Sequence, residues 1–379
     1  MTIKEISIQK ILNSAGSWTI EVAIELDGGG KGKFSVPGGL SKGANEVANV
    51  DFDTASTNLD DIRENLQSRN FKSQEDFDKY LIEVDGTEDK SDLGGNLMLG
   101  LSAAFAAAAA NAAGLETYEY IHNIHTPEIP LNNIQFKMPK IMGLIFEGGA
   151  HGSGKASIQE FMAVTNSIER LTEIYSAARK HLHNINESTN VGAEGAFSPA
   201  GMDNEQLIKT LESLLSADEN IALDVAATYI KEKNLEMPDY EKLISGYKII
   251  SIEDPCPEDE WTAWENFFRA YRADVTVVAD DLTTTNPDIL ARAIRQQVAN
   301  GIIIKPNQIG TITETLKAVK LAQLENWNII VSHRGTDTND SFVADLAVGI
   351  HADFVKFGAP ARGERVAKYN RLLEIFNKK

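Results

Sequence analysis

A chain of 379 residues with 36 basic and 55 acidic side chains carries a formal charge of −19, a field that disfavours nucleic acid and anionic membrane as partners. One cysteine, Cys256, excludes an intramolecular disulfide framework and points to a reducing compartment. The same acidity repels an anionic substrate unless local positive charge or a metal overcomes it.

The first residues, MTIKEISIQKIL, lack the charged-then-apolar pattern of a secretion signal, so a cytoplasmic protein is expected. ISIQKILNSAGSWTIEVAIEL and GKFSVP then alternate apolar and polar residues around GGGKGK, which reads as a turn. Such alternation predicts an antiparallel sheet with one wet face. Helical periodicity follows in NLDDIRENLQ, in SQEDFDKYLIEV and in an alanine-rich run from Leu93 to Leu115. That run has the look of a membrane span, yet it holds Asn96, Ser102 and Asn111 among many small residues. Small residues let helices approach closely and alanine favours helix, so a buried helix of a soluble fold is predicted. Strands followed by helices make an α+β cap over residues 1–128. A linker around Thr126 to Asn133 leads into a second domain, 129–379.

Past KIMGLIF and SIQEFMAV, six apolar runs each stop on a charged or metal-capable residue. They are IALDVA with Asp224, IISIED with Glu253, VTVVADD with Asp280, GIIIKP with Lys305, NIIVSHR with His333 and DFVKFG with Lys356. Endpoints recur every roughly 23 to 29 residues, room for a strand, a helix and two loops. Short runs of this kind with helix-length spacers read as parallel strands buried on both faces, and an α/β barrel is predicted. A barrel gathers its polar strand ends at one mouth, where its chemistry sits.

Three carboxylates converging from Asp224, Glu253 and Asp280 repel one another unless a cation neutralises them. Oxygen-only donors favour a hard ion such as magnesium (Mg2+). Lys305 comes next, and nearby positive charge with desolvation predicts an uncharged amine able to take a proton alpha to a carboxylate. Glu194 lies in the glycine-rich NVGAEGAFSPAG. It reads either as a solvated loop acid or as a group able to protonate a departing hydroxyl.

Several segments resemble the enolase family: VDGTEDKSDLGGN, GGAHGSGKASIQEFM, SIEDP, DDLTTTNP, IKPNQIGTITETLKA, SHRGTDTNDSFVADLAVG and KFGAPARGERVAKYNRLLEI. Together they span nearly the full length. The resemblance implies a cap and an enolase-type barrel, and a glycolytic hydro-lyase converting 2-phosphoglycerate to phosphoenolpyruvate. It implies a first magnesium site at Asp224, Glu253 and Asp280, with Lys305 as the base at C2 and Glu194 as the acid at the C3 hydroxyl. His151 and Glu160 would line the substrate, His333 and Arg334 its phosphate, and Lys356 its carboxylate. A small anionic phosphorylated substrate and a homodimer are likewise implied.

The chain departs from that family at particular positions. The lid pattern SGASTG becomes Gly38-Gly39-Leu40-Ser41-Lys42-Gly43, losing the serine that helps hold a second magnesium. Gly335 replaces the serine after Arg334; DEGG becomes Ala193-Glu194-Gly195-Ala196, and INGG becomes Phe146-Glu147-Gly148-Gly149. DSRGNPT becomes NSAGSWT, where Ala15 removes an arginine from the usual dimer contact. Lys42 is expected to swing in and supply the charge of the weakened second ion. Three readings stay open: an enolase with a modified lid, a paralogue acting on another phosphorylated or phosphonate hydroxy acid, and a non-catalytic binding protein on the same fold.

Overall fold

Alternation in TIEVAIEL turns Ile20, Val22, Ile24 and Leu26 to one buried face. A computed structural model, describing residues 1–39, 43–152 and 154–377, places them on the central strand of a three-stranded antiparallel sheet: β1 (Ile3–Leu12), β2 (Trp18–Leu26) and β3 (Lys31–Ser35). Helices α1 (Phe52–Ser68), α2 (Gln74–Asp85), α3 (Gly95–Ala112) and α4 (Thr117–His125) complete the cap. Side-chain caps start the first two, Asp51 accepting from the Thr54 amide and Ser73 from that of Asp76. The alanine-rich helix α3 is a core element with 83% of its residues inside the fold. It lies directly on β3 because Gly30 and Gly32 have no Cβ. A Cβ on Gly32 would collide with the Ala104 carbonyl and the Ala108 amide. The GGGKGK segment is thus a turn and also a docking surface for α3.

Among the described residues eight strands close the barrel: β4 (Lys140–Glu147), β5 (Glu160–Thr165), β6 (Asn220–Asp224), β7 (Ile249–Glu253), β8 (Thr276–Ala279), β9 (Gly301–Ile304), β10 (Asn328–Ser332) and β11 (Phe354–Lys356). The α+β cap and α/β barrel expected from the sequence are the observed architecture. The six apolar runs form β6 to β11, each parallel to its neighbours in that series. β5 differs: it runs antiparallel to both β4 and β6. Its reversal puts the first residue of β5, rather than the last, at the charged mouth.

Cap and barrel are joined by buried polar contacts. The helix Ile312–Leu324 starts against the cap, where its Ile312 amide donates to Ser102 Oγ (2.9 Å) and the Thr313 amide to Asp78 Oδ2 (2.9 Å). Lys90 adds an ion pair to Glu314 at 3.0 Å.

Candidate active site

Strand register builds the acidic part of the site. Glu147 pairs with Glu160, Glu160 with Asp224, and Asp224 with Glu253. Residues directly opposite on adjacent strands share a face, so four acids form one row across β4 to β7. Asp280, Lys305 and His333 immediately follow β8, β9 and β10, and Lys356 ends β11. Just past β6, Ala226 holds a left-handed backbone (φ 48°), a conformation costly for a residue with a Cβ and frequent at functional turns.

A cavity of about 230 Å³ opens at this mouth, lined by His151, Glu160, Glu194, Asp224, Asp280, Lys305, His333, Arg334 and Lys356. Glu253 reaches it through Lys356. The structure therefore brings together every described residue singled out from the sequence. Lys42 lies outside the described residues.

The charges are arranged differently from the sequence-based expectation. Lys356 Nζ sits among three acids, 2.7 Å from Glu253, 2.9 Å from Asp224 and 3.1 Å from Glu160. Asp280 accepts from Lys305 Nζ and, at 2.9 Å, from Gln308. Asp224, Glu253 and Asp280 are thus split between two lysines. Among the described residues, Asp254, Asp280 and Asp281 form a group of three acids whose oxygens lie close enough to share one ion. The lysines are drawn in because buried carboxylates attract the nearest cation. The same pairing bears on Lys305, expected from the sequence to be uncharged beside a cation. Burial pushes this amine down, but the Asp280 carboxylate beside it, together with Glu253, holds it well above its ordinary value.

The donor set nonetheless fits a hard divalent cation. Glu253 Oε1 is buried and accepts no hydrogen bond among the described residues. Burial and then repulsion from Asp224 push the Glu253 carboxyl well above the carboxylate range. A crowded, oxygen-only group with an orphaned buried oxygen is what such an ion relieves. His151, Glu160 and Glu194 also lie within ligand distance of one another, but charge argues against an ion there. Burial lowers His151, yet Glu194 and Glu160 overcome it and raise the ring to about 9, so it is itself the local cation.

Glu194 is no solvated loop acid, being only 3% exposed. It faces His333 Nε2 at 2.7 Å and His151 Nδ1 at 3.9 Å. Burial pushes His333 down to about 4 despite Glu194. The ring is neutral at pH 7, with Nε2 turned toward Glu194 and Nδ1 without a hydrogen-bond partner among the described residues. Burial would raise Glu194, but its close contact with His333 and the charge on His151 hold the carboxyl well below the usual range. In this arrangement Glu194 is ionised.

Other residues shape the site without having been assigned roles from the sequence. Glu46, just beyond the lid, makes a two-point pair with Arg334, Nη2 to Oε2 at 3.0 Å and Nη1 to Oε1 at 3.1 Å. Arg365, fully buried, donates to the Arg334 and Gly335 carbonyls at 2.5 and 2.7 Å. Lys368 braces the Thr338 and Asp340 carbonyls. Gly38 bridges to Thr336, donating its amide at 2.9 Å and accepting at 3.2 Å. Its carbonyl is therefore already engaged, and a Cβ there would lie 2.5 Å from Thr336 Oγ1. The serine of the family pattern fits this bridge only if Thr336 moves. Glu147 stands out in the sequence as a departure alone; in the structure its carboxylate is buried beneath the Glu194 loop.

A charged barrel mouth closed by an α+β cap, with buried lysine, histidine and carboxylates around one cavity, defines an α/β-barrel enzyme of the acid–base class. Comparison with known proteins specifies it further. Residues 3–121 match the family model for the enolase N-terminal domain, and residues 229–378 that for the enolase C-terminal TIM barrel domain. The chain is 35% identical over 415 aligned residues to the enolase of Natranaerobius thermophilus, covering 98% of this chain and 94% of that protein. It is 37% identical over 416 residues, with the same coverage, to the enolase of Mycobacteroides abscessus. The chain belongs to the enolase family, and it is a hydro-lyase rather than a non-catalytic binding protein.

Proposed function

We propose that the protein dehydrates 2-phosphoglycerate to phosphoenolpyruvate with magnesium as its cation, in the cytoplasm, as a glycolytic homodimer. The observation that carries this reading is the meeting of Lys305, Glu194 and the strand-end acids around one cavity. In it, Lys305 takes the proton from C2. Asp280 is the main group holding Lys305 protonated, so drawing that carboxylate away leaves burial to push the amine toward its neutral form. Glu194 serves the C3 hydroxyl. Approach of an anionic substrate raises its affinity for a proton, so that it can give one to the departing oxygen. Asp224, Glu253 and Asp280 would hold the cation, which when bound lends positive charge to the substrate carboxylate as electron density builds there. Lys356 then turns from those acids to the same carboxylate. Arg334 and the neutral His333 receive the phosphate, while His151 and Glu160 line the substrate. Lys42 is proposed to bring charge from the lid in place of a second ion.

A second reading is the same proton abstraction on another phosphorylated or phosphonate hydroxy acid. Gly335 and the Gly38–Thr336 bridge favour it, because one replaces a hydroxyl near the phosphate end and the other the lid serine of the second ion. One assay separates the two. Phosphoenolpyruvate should form from 2-phosphoglycerate only when magnesium is added, and a folded Lys305→Ala variant should lose about 10²- to 10⁴-fold in kcat. No product at high enzyme with magnesium present removes the first reading, and turnover of a different hydroxy acid then establishes the second.

A further inference from the structure

Glu147 is a buried acid at the end of β4, 2% exposed and absent from the lining of the cavity. Burial, then repulsion from Glu194 and more weakly from Glu160, pushes its carboxyl up to about 8, with the Ala196 amide and His151 opposing only in part. A carboxyl group so buried is costly unless something specific holds it. Two backbone amides of the loop carrying Glu194 do so. The Glu194 amide donates to both oxygens, at 3.0 and 3.2 Å, and the Ala196 amide to Oε1 at 2.8 Å. The loop is shaped to admit it: a Cβ on Gly192 would collide with Glu147 Oε2. Further bonds close the same unit, from the Ala193 amide to the His151 carbonyl (3.1 Å) and from the Glu147 amide to the Phe197 carbonyl (2.9 Å). Two departures noted in the sequence, Ala193 and Glu147, therefore belong to one hydrogen-bonded unit. The chain lacks an acid beside Glu194 and has gained one beneath it.

We propose that Glu147 is a positioning residue, whose carboxyl oxygens clamp the Glu194 and Ala196 amides and so fix the Glu194 side chain against His333 in the cavity. It touches no substrate; it acts through Glu194. This deepens the proposed function and rests on the role given there to Glu194. A carboxyl group anchored to the strand through its own side chain is a stiffer support for a glycine-rich turn than the turn's own backbone.

Two variants and two readouts test it. Glu147→Gln keeps the oxygen that accepts from both amides, whereas Glu147→Leu removes it at similar size. The Leu variant should lose about tenfold or more in kcat with KM within about twofold, as expected when a reacting group slips by a fraction of an ångström. Gln should restore most of that loss. Independently of turnover, the ring ¹H and ¹⁵N resonances of His333, identified by their disappearance in His333→Asn, should shift in Leu and not in Gln. If Leu does not fold, Glu147→Asp, one methylene short of both amides, carries the same expectations at smaller size. A folded Leu or Asp variant with unshifted His333 resonances overturns the proposal, as does a loss that Gln fails to restore. Failure of the wild-type protein to turn over 2-phosphoglycerate removes the proposed function instead, and the His333 resonances still decide the role of Glu147.

Discussion

Glu46 and Arg334 form their two-point ion pair inside the cavity, with neither side chain more than 5% exposed. A paired guanidinium has donors committed to one carboxylate, and an incoming phosphate must compete for them. The chain also has glycine at 335, so in the proposed role Arg334 would carry more of the anion's recognition than it would beside a hydroxyl. We predict that Glu46 sets the affinity for anions at this end of the cavity. Glu46→Gln keeps the shape and removes the competing charge. Inorganic phosphate, used as a competitive inhibitor, should then bind about three- to tenfold more tightly, roughly 1 kcal/mol. Weaker or unchanged inhibition would mean that the pair holds the lid for binding and does not oppose it. The charged strand ends that line the cavity were legible in the sequence because a barrel makes each run finish at the same place. Glu46 was not, because a loop has no period to say where its side chains point.

Packing of α3 on β3 shows the same contrast at the level of elements. The composition of the alanine-rich run was enough to predict a buried helix. It could not say that GGGKGK is the surface receiving it, since glycines in a turn and glycines under a helix look alike in sequence. The Ala104 carbonyl and Ala108 amide occupy the space a side chain at 32 would need. Gly32→Ala must therefore push β3 and α3 apart, with an expected cost of about 1 to 3 kcal/mol or more, measurable as a lower denaturant midpoint at unchanged slope. Gly28→Ala is the control, because a Cβ at that position would meet nothing within 4 Å. Equal midpoints for the two variants would show that the helix does not rest on this glycine. The reversal of β5 escaped sequence reading for a related reason. An apolar run buried on both faces carries no mark of its direction, and only the position of Glu160 at its start betrays it.

The whole molecule depends on a joint between cap and barrel, because the cap carries Glu46 and the lid while the barrel carries the other charged groups of the cavity. At that joint Asp78 is fully buried in the cap and accepts from Thr313 of the barrel and from Gln74, the latter at 3.0 Å. Burial pushes its carboxyl up to about 6 from an ordinary 3.8, its hydrogen bonds opposing only in part. A folded pKa above the unfolded one means that the native protein binds this proton more tightly than the unfolded chain. The contribution to stability is then greatest below about pH 4 and is lost as pH rises through 6. Asp78→Asn has no such proton, so the stability difference between wild type and variant should move in the variant's favour from pH 4 to pH 7. The expected change is about 2 to 3 kcal/mol, whatever constant penalty the amide incurs facing the Thr313 donors. Denaturant unfolding of both proteins across this range measures it. A difference that stays flat, or that moves toward the wild type as pH rises, would mean that Asp78 is ionised at the joint throughout and that its hydrogen bonds prevail over burial.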